Sequence, residues 1–225
     1  VWSSSDGGFN FTPCSHWIYQ FGLQTIHSYL HAIQQHPVTK EFFVSCDGGL
    51  YKTQSIEPGD WFTPWTTNWT NLTSGMQITS FYRLSSSKNA TGRLAAGAQD
   101  NSTFYFDGSS WSTIFGGDGM DNYLDPTDDY MVIGSSQYGN FFVSYTGGFS
   151  GNYITTHPNF EASEWVTPIV ADYNNFGVLY VGNENVVQST DAGANWITLA
   201  PMPSTVQSTE ISALAVSPSN SNVIY

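Results

Sequence analysis

The chain has 225 residues, with 18 acidic side chains against five basic ones and a formal net charge of −13. Such a surface repels phosphate backbones and anionic lipids, so roles on nucleic acid or at a membrane surface are disfavoured. No apolar run approaches the roughly 20 residues that span a bilayer, and membrane insertion is not expected. The 16% aromatic content and 21 glycines predict an all-β fold of short strands and tight turns.

A sequence phrase recurs along the chain. Residues 22–29 (GLQTIHSY) resemble residues 75–81 (GMQITSF), a third copy begins at 119, and two further units begin near 165 and 211. Most copies continue through a second, third and fourth predicted strand, separated by polar turns. Four antiparallel strands in about 45 residues are the signature of a propeller blade. The sequence therefore predicts a β-propeller of four-stranded antiparallel blades.

The repeat also sets the expected domain organisation. Whole blades are expected at 22–74, 75–118, 119–163 and 164–206, with the end of an earlier blade at 1–21 and the start of a later one at 207–225. Propellers close into a ring to hide their strand edges. We therefore expect residues 1–225 to be an incomplete segment of one propeller domain, whose remaining blades come from the same protein or a neighbouring chain. The sequence begins with Val1 and shows no signal peptide, so the true N-terminus is expected to lie upstream.

The clearest motif is STDAGANW, from Ser189 to Trp196. It is expected in the turn between the third and fourth strands of its blade. There Asp191 can accept backbone N–H groups, Gly193 supplies a positive φ, and Trp196 packs between blades. The stretch SSDGGFNF around Asp6 looks like a second copy, and degenerate copies occur at 107–111 and 144–148. Asp191 is therefore predicted to hold a turn.

These residues match S/T-x-D-x-G-x-x-W, the Asp-box of BNR repeats. The chain resembles sortilin-type propellers and the propellers of xyloglucanase-like glycoside hydrolases, of the secreted bacterial type. The resemblance implies a secreted or cell-surface protein with a glycan or protein ligand. Because the same blades serve hydrolases, receptors and adhesins, three functions stay open. They are an extracellular ligand-binding module, a glycoside hydrolase acting on a polysaccharide, and a structural subunit of a surface or filament assembly.

The blade register places the entry loops and the second-to-third strand turns on one face, around the channel mouth, where these families place ligands. The ligand-binding residues expected there are Asp47, Gln99, Asn101, Asp121, Gln137 and Tyr138. Asp118 and Asp100 are the catalytic candidates, because two carboxylates near one mouth could act as acid and base on a glycosidic bond. The alternative is that Asp–Gly and Asp–Asn simply form tight turns.

Aromatic residues near the same face could stack on sugar rings. Those expected there are Trp17, Trp61, Trp65 and Tyr138, although most of the eight Trp are expected to pack between blades. Sialidases grip a substrate carboxylate with three arginines, whereas this chain has only Arg83 and Arg93. A sialidase site complete within this segment is therefore excluded.

No metal or other cofactor is expected. His27 and His31 lie four residues apart on a predicted strand, on one face with Tyr29, but no recognisable third zinc ligand is near. The acidic run of Asp121, Asp125, Asp128 and Asp129 fits no EF-hand spacing, so calcium is the weaker alternative to a solvated turn.

The two cysteines, Cys14 and Cys46, map to the ligand-side face of adjacent predicted blades. That placement allows a disulfide, which also suits an exported protein. One disulfide is favoured here over two free thiols.

Overall fold

A computed structural model describes residues 1–18, 24–56, 68–88, 92–154, 163–199 and 210–225. Within these ranges the chain forms strands and turns, and the one helical element is a 3-10 turn at Gln137–Gly139. No helix in this part of the chain is long and apolar enough to cross a membrane. The predicted all-β class is confirmed.

Five small antiparallel sheets make up the structure. The first has two strands, β1 (Trp2–Ser3) and β2 (Thr12–Pro13). The second contains β3 (Leu30–Gln35), β4 (Phe42–Cys46), β5 (Gly49–Thr53) and β6 (Thr70–Asn71). The third contains β7 (Phe81–Ser86), β8 (Leu94–Ala98), β9 (Ser102–Phe106) and β10 (Trp111–Phe115). The fourth contains β11 (Asn122–Leu124), β12 (Val132–Ser136), β13 (Asn140–Ser144) and β14 (Asn152–Ile154). The fifth contains β15 (Ile169–Ala171), β16 (Leu179–Gly182), β17 (Val186–Ser189) and β18 (Ile197–Thr198).

In each four-stranded sheet the strands pair in chain order, so consecutive strands are antiparallel neighbours. These sheets lie within residues 22–74, 75–118, 119–163 and 164–206, the ranges in which the sequence predicts repeats. The arrangement is consistent with a propeller-like fold. The blade count, the closure of a ring and the blade boundaries stay predictions.

The chain divides into two compact units, residues 1–78 and 79–225. The first unit contains β1 to β6, and its buried core is built on Ile26, Val44 and Trp69. The Trp69 indole Nε1 donates a hydrogen bond to the Cys14 carbonyl at 3.1 Å, which ties the segment before β3 to the core.

Strand β3 starts later than the sequence suggested. It begins at Leu30, and Tyr29 has a φ of 53°, which ends any extended run before it. His27 and Tyr29 therefore do not share a strand with His31, and the prediction that these residues line one strand face is wrong. A positive φ at a tyrosine is not signalled by residue type.

The core of the second unit lies between its sheets. One cluster joins Ile133 and Phe141 of the fourth sheet to Leu179 and Val181 of the fifth. Another joins Val132 to Ala95, Tyr105 and Phe115 of the third sheet. Val132 and Ile133 are neighbours on β12 that enter different cores, because successive side chains of a strand point to opposite faces. The fourth sheet is therefore packed on both faces, and this explains why successive residues of β12, from Val132 to Ser135, are all buried.

Candidate functional site

Asp191 holds the turn between β17 and β18. Its carboxylate accepts hydrogen bonds from the Ser189 hydroxyl (2.9 Å), the Asn195 backbone N–H (2.8 Å) and the Asn195 side-chain amide (2.7 Å). Ser189 Oγ accepts the Gly193 N–H at 2.9 Å, and the Trp196 indole donates to the Gly193 carbonyl at 2.9 Å. The hydrogen bonds to its carboxylate lower the pKa of Asp191, and the bond from the Asn195 side-chain amide has the largest effect. Every donor lies within the turn itself.

The same hydrogen bonds recur around Asp6. Its carboxylate accepts from Ser4 Oγ at 2.8 Å, Asn10 N at 2.9 Å and Asn10 Nδ2 at 2.6 Å. The Asn10 backbone N–H and then the Asn10 amide lower the pKa of Asp6 to about 2. The sequence motif gave no role to the asparagine four residues after the aspartate, yet in both turns that residue supplies two of the donors.

The stretch that follows β13 keeps this pattern without a carboxylate. Ser144 Oγ accepts the Gly148 N–H at 2.9 Å, and Thr146 Oγ1, in the place of the aspartate, accepts the Ser150 N–H at 2.9 Å. Asp107, after β9, instead forms a tighter turn by accepting the N–H groups of Ser109 (2.7 Å) and Ser110 (2.9 Å). These donors, Ser110 first, lower the pKa of Asp107 to about 2.

The segments that carry Asp100 and Asp118 lie side by side in the second unit. The Gly119 N–H donates to the Ala98 carbonyl at 2.9 Å, and Asp118 forms an isolated parallel bridge with Ser102. Glycine permits this approach, since a Cβ on Gly97 would lie 1.9 Å from the Met120 carbonyl oxygen. A catalytic pairing of the two carboxylates stays a prediction.

Asp100, Gln99 and Asn101 belong to the tight turn between β8 and β9. Asp100 has a φ of 58°, a conformation that aspartate tolerates in turns. The Asn101 N–H donates to the Ala98 carbonyl at 3.2 Å, and the Asn101 side-chain amide donates to the Gln99 carbonyl at 2.9 Å. These contacts match the turn-forming alternative for Asp100.

Asp118 is in a different environment. The residue is only 8% exposed, and within the described part of the chain no group donates a hydrogen bond to its carboxylate. Its oxygens nevertheless keep contact with solvent, because neither is among the fully buried unpaired polar atoms. Asp118 is therefore a carboxylate that is shielded from most water and open to an outside donor.

Three aromatic side chains meet beside this carboxylate loop. The Trp165 indole Nε1 contacts the Tyr82 hydroxyl at 3.4 Å, and the Tyr138 ring packs edge-on against Trp165 with 5.2 Å between ring centroids. Tyr138 is 60% exposed and Trp165 is 39% exposed. Tyr82 and Trp165 were not among the predicted ligand residues, although Trp165 lies in a blade-entry loop of the predicted register.

Gln137 connects the aromatic rings to the Asp118 loop. A Cβ added to Gly117 would lie 3.4 Å from Gln137 Oε1, so the residue before Asp118 touches the turn that carries Tyr138. We call these side chains the aromatic–acid strip; its members are Tyr82, Asp118, Gln137, Tyr138 and Trp165. All five lie in the second unit.

Asp121 connects the first residues of two strands, β11 and β15. Its carboxylate accepts the N–H groups of Asn122 at 2.9 Å and Ile169 at 3.3 Å. Burial raises the pKa of Asp121, and the nearby positive charge of Arg83 opposes that rise. Because backbone donors occupy both oxygens, Asp121 is first a structural group.

The acidic run beyond Asp121 is used within turns. Asp125 accepts the N–H groups of Thr127 (2.7 Å) and Asp128 (3.0 Å), while Asp129 lies 3.8 Å from Arg93. Across the described ranges, no three His, Cys, Asp or Glu side chains are grouped as metal ligands. Calcium binding by this run stays the weaker of the two alternatives that the sequence leaves open.

In the first unit Asp47 pairs with His31, through one carboxylate oxygen and Nε2. A cavity of about 330 Å³ nearby is lined by Trp2, Trp17 and Tyr29, which are 61%, 65% and 67% exposed. Trp61 and Trp65 lie outside the described residues. The ligand-binding role of Asp47 stays a prediction.

Cys14 and Cys46 are two separate buried thiols. The Cys14 thiol donates to Ser3 Oγ at 3.2 Å, and the Cys46 thiol donates to the Gly49 carbonyl at 3.4 Å. Each sulfur thus has its own partner on its own hairpin, and the expected disulfide is absent from this structure. The sequence assigned each cysteine only to a face of a predicted blade, and this could not show that the two sulfurs have different neighbours.

Comparison with known proteins bears on the fold. No family model and no curated protein matches the chain. Among solved structures it is similar to an ancestral GH74 enzyme, with a TM-score of 0.52 and 18% identity over 85% of this chain and 26% of that one. It also matches the GH74 enzyme of Niastella koreensis at a TM-score of 0.32 and 14% identity, covering 97% and 49% of the two chains; that superposition is too weak to bear on the fold. The chain thus spans about a quarter of the first enzyme, and the similarity shows a fold shared with a glycoside hydrolase.

Proposed function

We propose that this chain is the glycan-binding part of an extracellular propeller, and that the aromatic–acid strip is where the glycan binds. The observation that carries the proposal is the pair of exposed rings, Tyr138 and Trp165, of which Tyr138 lies on a turn that touches the loop carrying Asp118, whose carboxylate accepts no hydrogen bond from the described residues. Sites for small ligands combine apolar and aromatic surface with a few polar groups.

The chemistry of the strip suits a pyranose. The C–H groups of a sugar ring form an apolar face that packs on an aromatic ring, while its hydroxyls need acceptors and donors. Asp118 supplies the acceptor and the Gln137 amide supplies both kinds of group. Contacts to Tyr82 and Tyr138 hold Trp165 in place, so less conformational entropy is lost when a ligand binds.

The similarity to a GH74 enzyme supports a glycan rather than a protein as the ligand, as an analogy of fold. The negative charge of the chain favours uncharged or cationic ligands over anionic ones.

The test compares two tryptophans of the second unit. Trp165→Ala should weaken binding of a glycan identified on an oligosaccharide array by about tenfold, or ~1.4 kcal/mol, in titration calorimetry. Trp111→Ala is the control, because Trp111 is similarly exposed at 46% and lies outside the strip. The proposal is wrong if the wild type binds no glycan, or if both variants bind as it does.

A second candidate function is hydrolysis of the bound glycan. The specific observation in its favour is that the Asp118 loop packs on the turn of Asp100 while the Asp118 carboxylate stays available. If Asp118 acts on the glycosidic bond, Asp118→Asn should abolish release of reducing sugar from a bound polysaccharide and leave the melting temperature nearly unchanged. Undiminished release would remove this assignment.

A further inference from the structure

The environment of Asp118 bears on the class of glycan. Its carboxylate is withdrawn from most of the solvent, and no group in the described structure donates to it. A carboxylate removed from water without donors or a counter-charge is costly, and it is stabilised most by a cation placed against it. Sugar hydroxyls would supply donors but no charge.

The protein's own cations are engaged elsewhere. The second unit has three basic residues, Arg83, Lys88 and Arg93. Arg83 donates to the Tyr82 carbonyl, Lys88 lies 5.1 Å from the centroid of the Tyr173 ring, and Arg93 lies over the Tyr130 ring at 4.5 Å. Each of these cations thus has its own partner within the described ranges, and Asp118 is in no ion pair there.

The aromatic members of the strip also favour a positively charged ligand. Ring faces carry negative electrostatic potential and attract cations within about 6 Å. Tyr138 and Trp165 therefore favour an ammonium group over a carboxylate beside them.

Resting on the glycan-binding function proposed above, we infer that the strip prefers saccharides that carry free ammonium groups, the amino sugars, over neutral and acidic saccharides. The ammonium binds at Asp118 and the sugar ring lies along Trp165 and Tyr138. A neutral sugar binds through the rings and hydroxyls alone, and a uronate meets a negative site.

The experiment uses β-1,4-linked hexamers that differ only at C2: hexaglucosamine with its free amines, hexa-N-acetylglucosamine, and cellohexaose. Titration of the whole chain at 20 mM salt should show hexaglucosamine binding about tenfold more tightly than cellohexaose. Asp118→Asn should remove this preference, so that the variant binds hexaglucosamine and cellohexaose with similar affinity. Glu184→Gln is the control, because it removes one exposed negative charge outside the strip and should keep the preference.

Each outcome is decisive. Equal binding of hexaglucosamine and cellohexaose by the wild type, or an unchanged preference in Asp118→Asn, overturns the inference and leaves glycan binding standing. A lost preference in Glu184→Gln also overturns it, since the effect then comes from net charge. Binding of none of the three hexamers, together with an array showing no other glycan, overturns both proposals.

Salt dependence gives a readout that needs no variant. Raising the ionic strength from 20 mM to 0.5 M should reduce the preference for hexaglucosamine severalfold while cellohexaose binding changes little, because screening weakens only the charged contact. A preference that does not depend on salt contradicts an ammonium–carboxylate contact, even if Asp118→Asn fails to fold.

Discussion

Gly97 is expected to be one of the least replaceable residues of the second unit. A Cβ added there would lie 1.9 Å from the Met120 carbonyl oxygen, whereas ordinary contact begins at 3.4 Å. The carbonyl would have to retreat by 1.5 Å, from 1.9 to 3.4 Å. The adjoining hydrogen bond from Gly119 N to the Ala98 carbonyl is 2.9 Å long. Such a shift would break it, because a donor and an acceptor more than about 3.5 Å apart no longer form a hydrogen bond.

The cost of Gly97→Ala combines forced repacking with the loss of one backbone hydrogen bond. Overpacking costs about 1–3 kcal/mol and the lost bond about 1 kcal/mol, so the variant should lose about 2–4 kcal/mol of unfolding free energy. For a unit of this size that lowers the melting temperature by about 4–16 °C. The same displacement moves the loop that carries Asp118, so glycan binding should weaken in parallel.

The assay is thermal unfolding followed by circular dichroism, with Gly116→Ala as the matched control. Gly116 lies near the start of the same loop, and a Cβ there would meet nothing within 4 Å. Gly116→Ala should therefore stay within about 0.5 kcal/mol of the wild type, or gain slightly from the reduced entropy of the unfolded chain. If Gly97→Ala melts together with Gly116→Ala, the steric argument and the described loop position are both wrong.

Two further predictions concern titration and thiol chemistry. The folded-state pKa of Asp6 and of Asp107 is about 2, below the ordinary 3.8, so each stabilises the fold fully above about pH 4 and loses that effect as the pH falls toward 2. NMR titration of their carboxyl carbons should give midpoints near 2, and midpoints near 3.8 would show that the turn hydrogen bonds do not form. Cys14 and Cys46 should react slowly with a thiol reagent in the native state, because both are buried and burial raises the pKa of Cys46. Denaturation without reductant should then expose two thiols per chain, and finding none would restore the disulfide.

The sequence was informative where structure is local. The repeat and the hairpin turns predicted a sequence of four-stranded sheets, because alternation and turn residues act over a few positions. The role of Asp191 was visible for the same reason, since all its partners lie within the turn.

The candidate site was less visible because it depends on contacts between distant segments. Tyr82 and Trp165 are 83 residues apart and meet only in the folded unit. The lack of partners at Asp118 cannot be read from residue types, since it depends on where the three cations of its unit lie. The thiols of Cys14 and Cys46 show the same limit, because a shared face does not fix the direction of two side chains.

The three similar turns also bear on how the chain folds. In each, the serine hydroxyl and the aspartate or threonine accept backbone N–H groups that lie four positions further along the chain. Contacts this local form within microseconds, before the sheets can assemble. β18 has only two paired residues, so its ladder gives little control over register. The Asp191 turn is then expected to fix which residue of β18 meets β17, because a slip of one position would send Ile197 to the opposite face of the sheet.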